Sequence, residues 1–217
     1  MAVSDDVLAQ FAGLATPTIA NALDDVAFEG VLTGLAQMVP GTRCVGRAFT
    51  VREVTGKRGD FTSEEFKKVG QVIDAARPGD ILVIDNGGHC VSTFGGLATL
   101  AAKLKGIAGL VADGGVRDLE EMIEHAFPVF ARHMTPLTGR SRLAVTAINE
   151  PIACGGVRVR PGDLIVADGS GVVCIPAEQA AKVAELAQGY ARDDEAAAAE
   201  LRKGLGFGAA MAKFRRI

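Results

Sequence analysis

The chain has 217 residues, 48% of them apolar, with 5% aromatics, no Trp and a formal charge of −3. That length allows one large domain or two small ones, with a core built mainly from Ala, Val, Leu and Ile. Acidic and basic residues are mixed along the chain, whereas a nucleic-acid surface needs a clustered basic face. No apolar run approaches the roughly 20 residues that span a bilayer. The N-terminal Met-Ala-Val-Ser-Asp-Asp lacks the basic region of a signal peptide. Cys44, Cys90, Cys154 and Cys174 lie far apart without a Cys-x-x-Cys, which disfavours zinc and fits reduced thiols that fill the core. The expectation is a cytoplasmic protein with neither membrane nor nucleic acid as partner.

Residues 4–24 read as helix, with Ser4 as N-cap, a stripe of Val7, Leu8, Phe11 and Leu14, and a break at Thr16-Pro17. Residues 48–54 alternate as a half-buried strand. Residues 64–76 form a helix with Phe66, Val69, Val72 and Ile73 on its apolar side, and it stops before Pro78-Gly79. A buried strand at 81–84 turns at Asp85-Asn86-Gly87-Gly88. Leu97, Leu100, Ala101 and Leu104 recur at helical spacing, and 107–112 is an apolar run of strand length. A Gly turn then ends in Arg117-Asp118. Asp118 and Glu121 read as a capping box for a helix through Ala126. Strands follow at 128–131 and 145–148, with 132–142 as a loop. Residues 155–175 read as an antiparallel meander, and the tail from Ala177 is helical. Arg77-Pro78-Gly79-Asp80 recurs as Arg160-Pro161-Gly162-Asp163, either as repeated turn chemistry or as a duplication. Short strands and helices without a strict βαβ rhythm point to a single-domain α/β layered sandwich, 1–217, with helical extensions at 1–30 and 177–217.

Chemistry concentrates between residues 94 and 118. Gly95-Gly96-Leu97-Ala98 is either a tight loop or a cradle of helix-start N–H groups for a small anion. Asp118 is either a helix cap or a hard oxygen ligand for Mg²⁺ or Mn²⁺, and Arg117 suits a bidentate grip on a carboxylate. No dinucleotide fingerprint or Walker loop is present. His125 reads as a helix-end residue. His89, Asp85 and Asp113 stand as further site candidates at strand ends and in the Gly-rich loop.

The run from Phe94 to Asp118, with Val45-Gly46-Arg47-Ala48-Phe49-Thr50-Val51 upstream and Gly155-Gly156-Val157-Arg158-Val159-Arg160-Pro161-Gly162-Asp163 downstream, resembles the RraA-like family. That family includes class II aldolases that release pyruvate from 4-hydroxy-4-methyl-2-oxoglutarate or 4-carboxy-4-hydroxy-2-oxoadipate, often with oxaloacetate decarboxylase activity. It also includes ribonuclease E inhibitors that act by protein contact. The resemblance implies an α/β/β/α layered sandwich of swivelling-domain type, assembled as homotrimers or dimers of trimers. It implies Arg117 and Asp118 as catalytic residues, Asp118 as the ligand of a divalent metal cation (Mg²⁺ or Mn²⁺), and Gly95, Gly96, Leu97, Ala98 and Arg117 as the seat of a small oxoacid substrate. The family's further acid falls on Gly96, so that acid is missing here. An acidic residue from a neighbouring subunit's C-terminal region would correspond to Asp194 or Glu195. The resulting expectation is a metal-dependent carbon–carbon lyase. The alternatives are a non-catalytic ring protein and a same-scaffold enzyme acting on another hydroxy or sugar acid.

Overall fold

The computed structural model describes residues 3–214, apart from the side chains of Ser63, Phe66 and Lys67. The expected core position of Phe66 and the ends of the expected 1–217 domain therefore lie outside the described residues.

Helices α1 (Asp5–Ala9) and α2 (Thr16–Asp25) open the chain. Ser4 caps α1 by accepting the Val7 N–H, and Pro17 sits in the first turn of α2, where a missing N–H costs nothing. Short strands β1 (Val31–Leu32) and β2 (Ala36–Gln37) precede the 12-residue β3 (Cys44–Thr55). Helix α3 (Ser63–Ala75) starts on a capping box made by Thr62 and Glu65. There follow β4 (Asp80–Asp85), β5 (Ser92–Phe94), α4 (Gly96–Leu104), β6 (Gly109–Val116), α5 (Leu119–Glu124) and β7 (Val129–Met134). The chain continues through β8 (Leu143–Ile148), β9 (Ile152–Cys154), β10 (Val157–Val159), β11 (Leu164–Asp168) and β12 (Gly171–Ile175). After a 3₁₀ turn at Ala177–Gln179 come α6 (Ala180–Arg202) and α7 (Phe207–Lys213).

Strands β3, β4, β6 and β7 run parallel, and β11 and β12 continue the sheet antiparallel beyond β3. Three apolar cores separate four layers. One joins Phe49, Val51, Leu82 and Leu110 to the inner faces of α3, α4 and α5. A second fills the space between the strand layers with Val83, Val111, Phe130, Ile165 and Val159. A third packs Leu164, Val166 and Val173 against α1, α2 and α6. This is the α/β/β/α sandwich. Each fully buried Leu, Ile or Val stabilises it by roughly 1.5–3 kcal/mol.

Four expectations need correction. Residues 113–116 are not a turn: β6 runs on through Gly114 and Gly115. A Cβ on Gly114 would come within 2.7 Å of Asn86, and one on Gly115 within 2.8 Å of Thr135 and Val91, so only glycine lets neighbours close on the strand. Strand β7 likewise includes Arg132 and His133, expected in a loop, because β6 is long enough to pair with them. The meander is two separate ribbons: β10 pairs with β9, and β11 pairs with β12. Cys44, Cys154 and Cys174 are buried as expected, but Cys90 is exposed.

Candidate active site

A cleft of about 550 Å³ opens where β5, the end of β6 and the start of α4 meet. Its walls include Thr93, residues 95–98, Arg117, Asp118, Glu121 and the 138–139 loop, with Val69 and Gly70 of α3 opposite. Every one of the expected site residues Gly95, Gly96, Leu97, Ala98, Arg117 and Asp118 lines it.

Helix α4 begins without a side-chain cap of its own. The Thr99 N–H and hydroxyl both donate to the Gly95 carbonyl, at 2.9 and 3.0 Å. The Gly96 N–H donates to Asp118 Oδ2 at 3.0 Å. The N–H groups of Leu97 and Ala98 have no acceptor within the helix and meet none among the described residues. Two free donors at the positive end of a helix therefore face the cleft region, next to a carboxylate that the same helix end already holds.

The geometry of Asp118 departs from the capping box expected for Asp118 and Glu121. Asp118 sits in the left-handed region (φ 62°, ψ 51°) and makes no capping hydrogen bond to α5. A non-glycine residue held there stores on the order of 1 kcal/mol of strain. The conformation turns its carboxylate away from α5 and onto the start of α4. The Arg117 N–H donates to the Phe94 carbonyl at 3.0 Å, and Arg117 Nε lies 3.4 Å from Asp118 Oδ2. Both side chains are part exposed, so their mutual attraction adds little stability; what matters is that the pair is held at the cleft.

Glu121 lines the cleft, although the sequence analysis did not place it among the site candidates. A Cβ on Gly96 would overlap the Glu121 carboxylate, and one on Gly95 would come within 2.6 Å of Asp118 Oδ2 and 3.1 Å of Arg117 Nε. Glycines at 95 and 96 thus vacate the volume into which three charged side chains of the 117–121 segment converge. The acid that the resemblance places at position 96 is absent from that position, yet a carboxylate fills the same space from the next helix. The spacing alone, an acid three residues after Asp118, is also that of a capping box and does not announce this placement.

No group of three or more His, Cys, Asp or Glu side chains with metal-holding geometry exists among the described residues. Asp118 and Glu121 form a pair of hard oxygen donors, and a pair suits Mg²⁺ or Mn²⁺, which keep several waters and bind through one or two carboxylates. The residues present fit such a cation.

Glu53 of β3 lies behind the cleft wall, 5% exposed. Thr93 Oγ1 donates to its Oε1 at 2.6 Å, while Oε2 has no partner among the described residues. Burial pushes this carboxyl up to about 7, only partly offset by the Thr93 hydrogen bond, and the nearby Asp85 charge adds to the rise.

The other candidates lie elsewhere. Asp113 is buried and binds Arg132 Nε at 2.5 Å and the Gly155 N–H at 2.8 Å, fastening the β9–β10 ribbon to the sheet. The Asp85 carboxylate accepts the Gly87 N–H at 3.1 Å within its own turn, and His89 is exposed in the loop that follows. His125 ends α5, as expected. Asp194 and Glu195, expected to serve a neighbouring subunit's site, lie on α6, in the helical layer across the sheet from this chain's own cleft. No described helix is long and apolar enough to cross a membrane.

Fold and site together define an α/β/β/α sandwich that gathers an Arg and two carboxylates on the open N-terminus of a helix. The chain belongs to the RraA-like family, whose model, described as Aldolase/RraA, matches residues 16–174. A Halalkalibacterium halodurans protein named "Putative 4-hydroxy-4-methyl-2-oxoglutarate aldolase" is 36% identical over 192 residues, covering 88% of this chain and 86% of the relative. The crystal structure of an uncharacterised protein from Pseudomonas syringae pv. tomato superposes with a TM-score of 0.87 at 31% identity, covering 97% of this chain and 98% of the other. That of Streptomyces coelicolor RraAS2, titled an unusual member of the RNase ES inhibitor RraA family, superposes with a TM-score of 0.78 at 26% identity, covering 90% and 96%.

Proposed function

We propose that this protein is a divalent-metal-dependent carbon–carbon lyase that cleaves a small 2-oxoacid and releases pyruvate. The observation that carries the reading is the convergence of Asp118, Glu121 and Arg117 on the start of α4, around the two free N–H groups of Leu97 and Ala98. The name of the H. halodurans relative supports it.

In this reading Asp118 and Glu121 hold Mg²⁺ or Mn²⁺. Such a cation, when bound, supplies Lewis-acid polarisation of the substrate's 2-oxo group. The Arg117 guanidinium grips the substrate carboxylate, and the Leu97 and Ala98 N–H groups donate to its oxygens. As the C3–C4 bond of the substrate breaks, its electron pair moves into the pyruvate enolate, and Arg117 offsets the charge that develops. The proton lost from the substrate's 4-hydroxyl leaves to water, and C3 of pyruvate takes a proton back by the same route, because no His among the described residues lines the cleft. Decarboxylation of oxaloacetate needs the same enolate and no proton loss from a hydroxyl.

The reading also assembles the chain into a homotrimer or a dimer of trimers. Leu97 and Leu104 on the outer face of α4 are 83% and 80% exposed, and Ile123 of α5 is 50% exposed. An apolar face of this kind beside the cleft fits sites built between subunits.

The test is pyruvate release from oxaloacetate and from 4-hydroxy-4-methyl-2-oxoglutarate, with Mg²⁺ or Mn²⁺ and then with EDTA. Release should depend on the cation, and Asp118→Asn or Arg117→Ala should each cut kcat/KM by about 10²-fold or more. Near wild-type turnover in either variant contradicts the assignment. The likeness to RraAS2 favours a second reading, a ring protein that acts by protein contact. Absence of pyruvate release with every cation and oxoacid would select it.

A further inference from the structure

Glu53 is a buried acid with no task in the steps above. It shares one face of β3 with Phe49 and Val51, which pack into the core beneath α3, α4 and α5. An apolar side chain is what this inward position asks for, yet the acid occupies it while Val54, next along the strand, is 41% exposed.

Thr93 of β5 lines the cleft, and its hydroxyl donates directly to Glu53 Oε1 at 2.6 Å. That length is typical of a charge-assisted O–H···O⁻ bond. Oε2 is buried with no partner among the described residues. A structural tie to Thr93 needs one acceptor, and an alcohol would supply it without burying a second, unpaired oxygen. A hydroxyl both donates and accepts, so one set between a cleft and a carboxylate is a path for a proton. Around Glu53, β8 sets Val145 opposite it and β5 supplies Thr93. The charged group whose field reaches it is Asp85 at the end of β4, which has Arg52 Nε 3.8 Å from its Oδ2. Burial holds the Glu53 carboxyl near about 7, so it takes up and gives back a proton close to neutral pH.

We propose that Glu53, acting through the Thr93 hydroxyl, takes up the proton that the substrate's 4-hydroxyl loses when the carbon–carbon bond breaks. The inference rests on the oxoacid reading of the cleft and adds the destination of that proton. The substrate O–H bond breaks, and its proton passes through water to Thr93 Oγ1 while Thr93's own proton moves to Glu53 Oε1. The O–H electron pair becomes the new carbonyl bond, and the C3–C4 pair goes into the enolate. The same path in reverse returns the proton to C3 and restores the Glu53 carboxylate. Decarboxylation of oxaloacetate frees no hydroxyl proton, so it does not call on Glu53 as acceptor.

The test follows pyruvate release from 4-hydroxy-4-methyl-2-oxoglutarate and from oxaloacetate as a function of pH, using the full chain with Mg²⁺. The wild type is compared with Glu53→Gln, Thr93→Val and Thr93→Ser, and melting curves check that each variant is folded. Wild-type kcat/KM for the hydroxy acid should rise with pH through about 7. Glu53→Gln should lose that rise and about 10²-fold in kcat on the hydroxy acid, but less than about tenfold on oxaloacetate. Thr93→Val should behave in the same way, whereas Thr93→Ser, which keeps the hydroxyl, should retain most of the activity. Equal losses on the two substrates, or a rise near 7 that persists in Glu53→Gln, overturn the proposal. If Asp118→Asn abolishes cleavage of the hydroxy acid and Glu53→Gln leaves it intact, the oxoacid reading stands and the Glu53 assignment alone fails. If the wild type releases pyruvate from neither substrate, both fall.

Discussion

At position 96 a Cβ would displace the Glu121 carboxylate from where it lies, so the glycine leaves this second acid its place at the cleft. The residue scale is also where the reading of the sequence was least complete. Arg117, Asp118 and residues 95–98 were legible through the resemblance to the RraA-like family, since from the residues alone a helix cap and a tight loop fitted equally well. Glu121 was not, because an acid three residues after an Asp reads equally well as a capping box. Only the left-handed backbone of Asp118, which no residue type announces, decides between the two. Glu53 was hidden for a similar reason: strand alternation places it inward without saying whether a partner waits there. Its neutral form is the one the folded state favours. The stability it contributes is therefore complete below the unfolded value of 4.5 and is lost as pH rises through about 7. Glu53→Gln should be more stable than the wild type by up to ~3 kcal/mol at pH 8 and nearly equal to it at pH 4, as read by urea denaturation. A difference that does not change with pH would contradict this account of Glu53.

Among elements, turn chemistry was read more accurately than strand length. The repeated Arg-Pro-Gly-Asp segments adopt one turn twice. Asp80 and Asp163 each accept the N–H of the Arg three residues earlier at 2.8 Å, with Gly79 and Gly162 at φ of 83° and 84°. One turn leads into a strand parallel to β3 and the other into a strand antiparallel to it, which favours repeated turn chemistry over duplication. Strand β6 outran its expected end because the pairing of Gly115 and Val116 with β5 and β7 is a long-range event with no local signature. The start of α2 is another such event: Asp168, at the end of β11, accepts the Thr16 N–H at 2.8 Å and the Thr16 hydroxyl at 2.7 Å. Partial burial pushes the Asp168 carboxyl up, but the hydrogen bonds from Thr16 and Ser170 outweigh it, and the net effect holds the group below the usual carboxylate range. Its contribution is present above the unfolded value near 3.8 and is lost as pH falls through the lower folded value. Asp168→Ala should cost about 1–2 kcal/mol at pH 7 in chemical denaturation, with the gap to wild type narrowing in acid. An unchanged midpoint at pH 7 would show that α2 does not depend on this cap.

Across the whole molecule, the three cores fix which layers are rigid and leave the site at a seam. The cleft forms where the α3–α4–α5 layer meets the ends of β5 and β6, and the outer face of α4 beside it stays apolar and uncovered. If copies of the chain cover that face, Leu104→Asp should lower the mass measured by light scattering from a trimer or hexamer toward a monomer. A mass unchanged from wild type would place the subunit contact elsewhere. The layered architecture was legible from the alternation of short strands and helices, whereas the seam, which depends on how the layers dock, was not. The central claim is that Asp118 and the Glu121 carboxylate admitted by Gly96 act as one cation site. Mn²⁺ titration followed by electron paramagnetic resonance tests it most directly, on the wild type, Glu121→Ala and Gly96→Asp/Glu121→Ala. The account predicts a loss of about tenfold or more in Mn²⁺ affinity for Glu121→Ala, with much of it recovered when the acid is moved to position 96. Wild-type Mn²⁺ affinity in Glu121→Ala would contradict it.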